Sequence, residues 1–221
     1  MKAKEDMVKI IQSLSGKQSP YIIFYDFCEM FTISIANACR LIQDDIWQKR
    51  EDTFIKIASK YSRKEMEQFN EMRERLVAAF DYEMGDILGE IYMESGAGNK
   101  STGQFFTPFR VSELVSQIVI PETVSETNPY RVHEPCSGSG GMIIALAKRF
   151  YLRDMNYQKC MKVIAQDLDW LPIYMTYIQL SMYGINAIVV QGDILTDPYR
   201  KGYPEERVFR TPNNMGILIG M

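Results

Sequence analysis

The sequence predicts an α/β domain, a parallel sheet covered on both faces, preceded by a helical region. Three observations predict it. Short strand candidates at 131–133, 161–165 and 187–190 alternate with stretches whose apolar residues recur at helical spacing. Each candidate leads into a turn carrying glycine or an acid, the arrangement of an open sheet whose ligands sit at the strands' carboxyl ends. Residues 1 to about 95 show helical periodicity and no alternating strand pattern.

In chain order, segment 45–61 places Trp47, Phe54, Ile57, Ala58 and Tyr61 at helical spacing, and 63–93 repeats the pattern with Phe69, Met72, Leu76, Phe80, Ile87 and Ile91. Such stripes pack helix on helix, so 1–98 is expected to be an all-helical domain. The small, polar run Gly96-Ala97-Gly98-Asn99-Lys100-Ser101-Thr102-Gly103 suits a linker and opens a second domain at 99–221. Thr107-Pro108 predicts an N-cap and an N1 proline, with Val111, Leu114, Val115 and Ile118 as the apolar face of the helix that follows. The strand at 131–133 runs into Glu134-Pro135-Cys136-Ser137-Gly138-Ser139-Gly140-Gly141, and Ile143, Leu146, Ala147 and Phe150 then mark a helix. The strand at 161–165 ends at Gln166-Asp167-Leu168-Asp169. Its helix starts near Pro172, carries Leu171, Tyr174, Ile178 and Met182 on one face, and ends at Gly184. The strand at 187–190 precedes Gly192-Asp193-Ile194-Leu195, and 215–219 is the candidate fourth strand, where the domain is expected to end.

Composition narrows the class. With 46% hydrophobic and 24% charged residues, 14 Gly and 9 Pro, collagen-like and low-complexity chains are excluded. Cysteines stand apart at 28, 39, 136 and 160 with no CxxC pair, and His133 is the single histidine, so neither a metal site nor a disulfide framework is expected. Lys and Arg total 25 against 28 Asp and Glu, a net charge of -3, so any DNA substrate must be held by local patches or by a partner. Arg200, Lys201, Arg207 and Arg210 form one such basic group, diluted by Glu205 and Glu206. The opening MKAKEDMVKI lacks a signal-peptide apolar core, which predicts a cytoplasmic, reduced protein. The uncharged stretch 171–192 matches the ~20 residues that span a bilayer. Pro172, Gln179, Ser181, Gly184, Asn186 and Gln191 interrupt it, so a buried helix, a turn and a strand are expected there, with no membrane attachment.

The chemistry lies at the strand ends. Gly138, Gly140 and Gly141 allow a tight turn and close backbone approach to a ligand, with a helix N-terminus behind them; the same cluster also serves purely structural turns. Asp167 follows Gly141 by 167 − 141 = 26 residues, near the ~20-residue offset at which an acid grips ribose hydroxyls. Alternatively Asp167 or Asp169 caps the helix near Pro172, Asp169 being the better candidate. Asp193 suits an adenine amino group, or makes its own turn. A dinucleotide fingerprint would place its third glycine at Ile143. Glu134 beside a pyrophosphate would repel it, whereas the ammonium and sulfonium of S-adenosylmethionine suit an acid there.

Gly103-Gln104-Phe105-Phe106-Thr107-Pro108 resembles the GQFFTP signature of the N6-adenine DNA methyltransferases, in particular the modification subunit of type I restriction-modification systems. Residues 134–141 are similar to that family's Asp-Pro-x-x-Gly-Ser-Gly-Gly cofactor loop, Ala165-Gln166-Asp167 to its Gly-Gln-Glu, and Gly192-Asp193-Ile194-Leu195 to its adenine-contacting segment. The resemblance covers 103–195. It implies a Rossmann-like fold, S-adenosylmethionine as cofactor, DNA as substrate and a specificity or complementary subunit as partner. It further implies a cofactor site made of Gln104, Phe105, Phe106, Thr107, Pro108, Glu134, Pro135, Ser137, Gly138, Gly140, Asp167, Leu168, Asp193 and Ile194. Phe105 and Phe106 would wall the pocket, and the helix start at Thr107-Pro108 would meet the cofactor's carboxylate. The family's Asn/Asp-Pro-Pro-Tyr/Phe loop, which holds the flipped base, has no counterpart. Asn128-Pro129-Tyr130 and Asp197-Pro198-Tyr199 lack the second proline and do not follow the fourth strand. Catalytic residues are therefore unassigned, and a non-catalytic or split methyltransferase-like protein is the alternative expectation.

Overall fold

The computed structural model describes residues 2–16, 18–98, 106–119 and 124–217. The chain divides into two units, 1–83 with 87–105, and 84–86 with 106–221.

The first unit contains α1 (Lys2–Leu14), α2 (Pro20–Ala38), α3 (Asp45–Ala58), α4 (Arg63–Tyr82) and α5 (Ile87–Glu94). Side chains start three of these helices by satisfying orphan N–H groups. Ser19 accepts from Ile22, Asp44 from Trp47, and Ser62 and Glu65 form a reciprocal capping box. The stripe read across 63–93 is realised as two helices, because the chain turns extended at Glu83 (φ -150°, ψ 146°). Phe69, Met72, Leu76 and Phe80 are buried on α4, and Ile87 and Ile91 on α5. On α3 only Ile57 is fully buried, with Trp47, Phe54 and Ala58 half-buried. α2 is buried over most of its surface and takes one carboxylate inside with it. Asp26 accepts from Lys60 at 3.2 Å and from the Tyr61 hydroxyl at 2.7 Å.

The second unit contains α6 (Phe109–Val119), β1 (Tyr130–Glu134), α7 (Gly141–Tyr151), α8 (Tyr157–Cys160), β2 (Met161–Asp167), α9 (Trp170–Met182), β3 (Ala187–Gln191) and β4 (Val208–Arg210). Strands lie in the order β1-β2-β3-β4, the first three parallel. The three expected strands and the helices between them are present, giving an α/β unit of Rossmann-like form. The uncharged stretch is α9, a turn and β3, and Leu171 to Ser181 are all buried, as a helix apolar on every side requires. Among the described residues no helix is long and apolar enough to cross a membrane.

Three expectations need correction. The fourth strand is not at 215–219: 212–216 form turns, 217 is irregular and 218–219 lie outside the described residues. β4 takes its place and runs antiparallel to β3, so the sheet is mixed. Its end is fixed by Thr211, wholly buried, whose N–H donates to the Ala187 carbonyl and whose hydroxyl accepts from the Ala187 N–H and donates to the Ile185 carbonyl. Second, α6 buries a different face from the one expected, of whose four residues only Val115 is half-buried. Ser112 and Ser116 are buried, while Val111, Leu114 and Ile118 are 47%, 61% and 80% exposed. Small side chains bring α6 close to α7, where Glu113 and Lys148 pair at 2.7 Å. Third, the Pro108 carbonyl accepts the first helical bonds, from Val111 and Ser112, so Pro108 itself holds the capping position and Thr107 lies one residue outside.

Candidate functional site

The carboxyl ends of the parallel strands lie side by side, Glu134 in register with Ala165 and Asp167 with Gln191. After β1 the chain turns back on itself. Ser137 N–H donates to the Gln166 carbonyl at 3.0 Å, and Gly140 N–H to the Ser137 carbonyl at 2.8 Å. Gly138 and Gly140 hold φ of 55° and 93°, a region that costs other residues roughly 1–2 kcal/mol. Gly140 is the N-cap of α7, so that helix's first N–H groups begin where the loop ends.

Asp167 ties β2 to this loop. Its Oδ2 accepts Gly138 N–H at 2.9 Å and its Oδ1 accepts Asp169 N–H at 3.2 Å. Two carboxylate oxygens offer about four lone-pair sites, so acceptor capacity remains for a pair of hydroxyls. Burial raises the Asp167 carboxyl above its usual range, against the pull of the Gly138 and Asp169 amides. Burial likewise pushes Glu134 up; the Cys136 N–H at 3.3 Å offsets part of this, and the nearby Asp167 charge adds to it. Two acids held above their ordinary values at adjacent strand ends are a setting that a cation would relieve.

The remaining predicted residues fall as follows. Phe106 lies against the loop, its Cδ1 3.1 Å from where a Gly138 Cβ would sit. Thr107 and Pro108 are exposed, and Gln104 and Phe105 lie outside the described residues. Pro135 is exposed, whereas Ser137 is buried with its hydroxyl 3.3 Å from Thr176 Oγ1. Leu168 is 61% exposed at the end of β2. Beyond β3, Gly192 N–H donates to the Asp167 carbonyl at 2.8 Å. Asp193 makes its own turn: Oδ1 accepts Leu195 N–H at 2.9 Å, and that bond, with one from Thr196, holds its carboxyl below the usual range. Ile194 is half-buried beside it. Asp169 is the N-cap of α9 by position, without a side-chain capping bond. Of the basic group, Arg200 pairs with Asp197 at 2.8 Å and Arg210 with Glu205 at 2.7 Å.

Gln166, which stands in a motif without a role, supports the site, and three residues outside every motif, Thr176, Gln179 and Asp86, do so as well. Gln166, wholly buried, donates to the Gly192 and Asp197 carbonyls and accepts from Tyr199 N–H, fixing the loop after β3. The Thr176 hydroxyl donates to the Gly138 carbonyl at 3.0 Å. Gln179 and Asp86 join the loop one residue further on. The signal open to sequence reading is Thr176 and Gln179, polar residues three apart in a helix that is mostly apolar.

Residues 83–212 match the model of the N-6 DNA methylase family. Among solved structures the chain is similar to a protein of Listeria monocytogenes assigned to the class I S-adenosylmethionine-dependent methyltransferases, at 14% identity and a TM-score of 0.46, covering 89% of this chain and 55% of that one. It is also similar to the methyltransferase subunit of a type I restriction-modification system from Streptococcus thermophilus, at 20% identity and a TM-score of 0.46, covering 84% and 42%. The chain thus spans about half the length of each of these two.

Proposed function

The chain belongs to the N-6 DNA methylase family, and from that premise we propose that its second unit binds S-adenosylmethionine at the carboxyl ends of β1 to β3, for methyl transfer to adenine N6 in DNA. The observation that carries the reading is the joining of the glycine loop to Asp167, with Glu134 beside them and both carboxyls raised by burial. That donor set fits a ligand with a cationic end and a pair of hydroxyls. Glu134 takes the α-ammonium, and the backbone of Pro135, Ser137, Gly138 and Gly140 follows the ligand without side chains in the way. Asp167 accepts from the ribose hydroxyls. Leu168 and Ile194 flank the adenine, and the second oxygen of Asp193 accepts from its amino group. Phe106 walls the pocket, with Gln104, Phe105, Thr107 and Pro108 completing it toward the carboxylate. The bound cofactor supplies an activated methyl group; the protein's part is positioning. Action on DNA in company with a specificity or complementary subunit would place the protein in the cytoplasm.

A second reading is favoured by one observation. The 221 residues hold no Asn/Asp-Pro-Pro-Tyr/Phe loop, and antiparallel β4 carries the described residues after it to the amino ends of the strands. On this reading the second unit binds cofactor or partners as part of a split or non-catalytic methyltransferase-like protein, with any base-holding loop lying outside these residues.

Calorimetric titration of S-adenosylmethionine into the purified chain and into Asp167→Ala tests the cofactor site. Loss of a charged acceptor costs about 1.5–3 kcal/mol, so the variant should bind roughly 10- to 150-fold more weakly. Absence of binding to the unmutated chain would overturn the cofactor reading. Transfer of labelled methyl to DNA by the chain alone would dismiss the second reading.

A further inference from the structure

Asp86 lies 53 residues before Ser139 in sequence, yet the two are joined in the second unit. Ser139 Oγ donates to Asp86 Oδ2 at 2.6 Å. Gln179 Nε2 donates to Asp86 Oδ1 at 2.8 Å and to the Ser139 carbonyl at 2.7 Å. The three residues are 3%, 2% and 0% exposed, so the circuit closes away from water. It grips Ser139 by side chain and backbone at once, and Ser139 stands between the two left-handed glycines of the loop. Its neighbours hold Asp86 in turn. Gly85 N–H donates to the Tyr183 hydroxyl at 3.0 Å, and that hydroxyl donates to the Gly85 carbonyl at 2.9 Å. Gly141 leaves the space Asp86 needs: a Cβ there would stand 3.0 Å from Asp86 Oδ2. Gly141 thus serves the approach of a carboxylate from within the protein.

The geometry points to Asp86 as a positioning residue that sets the glycine loop in its ligand-binding conformation from behind, through Ser139 and Gln179. Asp86 meets the loop at buried Ser139, whereas Asp167 and Phe106 meet it at Gly138. A carboxylate there accepts from both donors at once. An asparagine keeps the shape and turns one acceptor into a donor, which sets it against either the Ser139 hydroxyl or the Gln179 amide. The inference deepens the cofactor reading and rests on it for the ligand's identity.

The test compares the native chain with Asp86→Asn and with Ser139→Ala, which removes one arm of the circuit and leaves Asp86 in place. Amide hydrogen exchange at Gly138 and Gly140 reads the loop without ligand. It should quicken about tenfold or more in both variants, while Ala165 within β2 stays protected. Titration with S-adenosylmethionine well below the melting transition should then show affinity weakened by about tenfold, the effect of losing one hydrogen bond to a charged group. Unchanged glycine exchange in a folded Ser139→Ala would overturn the inference whatever the ligand result. So would native affinity in folded Asp86→Asn. If the native chain fails to bind while the glycine exchange responds, the cofactor reading falls and the positioning role stands.

Discussion

Replacing Gly192 by alanine is the perturbation whose cost can be worked most directly. A Cβ on Gly192 would fall inside the Tyr203 hydroxyl, 3.3 Å from that ring's Cζ and 3.2 Å from Gln166 Nε2. Neither neighbour can yield freely. Tyr203 is 5% exposed and its hydroxyl donates to the Gln191 carbonyl at 3.1 Å, while its ring packs with Val190 and Val208. Gln166 is held by three backbone groups. Driving the tyrosine out costs about 1–3 kcal/mol of overpacking and about 1 kcal/mol for its hydrogen bond. The sum, roughly 2–4 kcal/mol, lowers the melting temperature by about 4 °C per kcal/mol in a unit of this size. Thermal and urea melts of Gly192→Ala, Tyr203→Phe and the double variant provide the assay. Tyr203→Phe clears the hydroxyl, so alanine should cost less in its presence, with a coupling of about 1 kcal/mol or more. A Gly192→Ala chain that melts with the native protein, or a double variant whose loss equals the sum of the singles, would refute the reasoning.

Two further outcomes follow from buried acids. Glu134→Gln keeps an acceptor for Cys136 N–H and removes a charge that burial disfavours. A raised carboxyl contributes stability below its unfolded pKa, near 4.5, and loses it as pH rises through the folded value. The variant should therefore match the native chain in acid and melt higher near neutral pH, while binding S-adenosylmethionine about tenfold more weakly; a native chain that is the more stable at neutral pH would contradict this. Asp26→Asn exchanges the buried partner of Lys60 and Tyr61 for a neutral one, at about 1–3 kcal/mol of stability in the first unit. Cofactor affinity measured on folded protein should not move, and circular dichroism melts with calorimetry check both halves of that statement.

Much of the second unit is legible in sequence because each parallel strand is bounded by a turn with its own chemistry. Gly138 and Gly140 sit where left-handed backbone is needed, and Asp167 reaches the loop because β1 and β2 are in register. β4 is not legible. It has three residues, and its direction comes from the burial of Thr211 against Ile185 and Ala187, a tertiary event with no local pattern. The α6 face misleads because periodicity marks where bulky apolar residues stand, while close packing against α7 selects Ser112 and Ser116 instead. Asp86 is hidden for a different reason. It interrupts a stripe that reads as one helix from 63 to 93, and its partners are 53 and 93 residues away.

The reversed course of β4 also gives the sheet a built-in pair of attachment points. Beyond Thr211, the Asn213 amide holds the Gln158 and Gly184 carbonyls and Asn214 holds Asn186, lashing the chain beside the starts of β2 and β3. Met215, 42% exposed, stands at that end, and Cys136, the exposed thiol among four free cysteines, stands in the glycine loop at the other. Roughly one strand length separates the two ends, about 15–20 Å at 3.3 Å per residue. Spin labels on Met215→Cys and the native Cys136 therefore form a ruler laid along the strands, able to follow the loop while the sheet serves as the fixed frame.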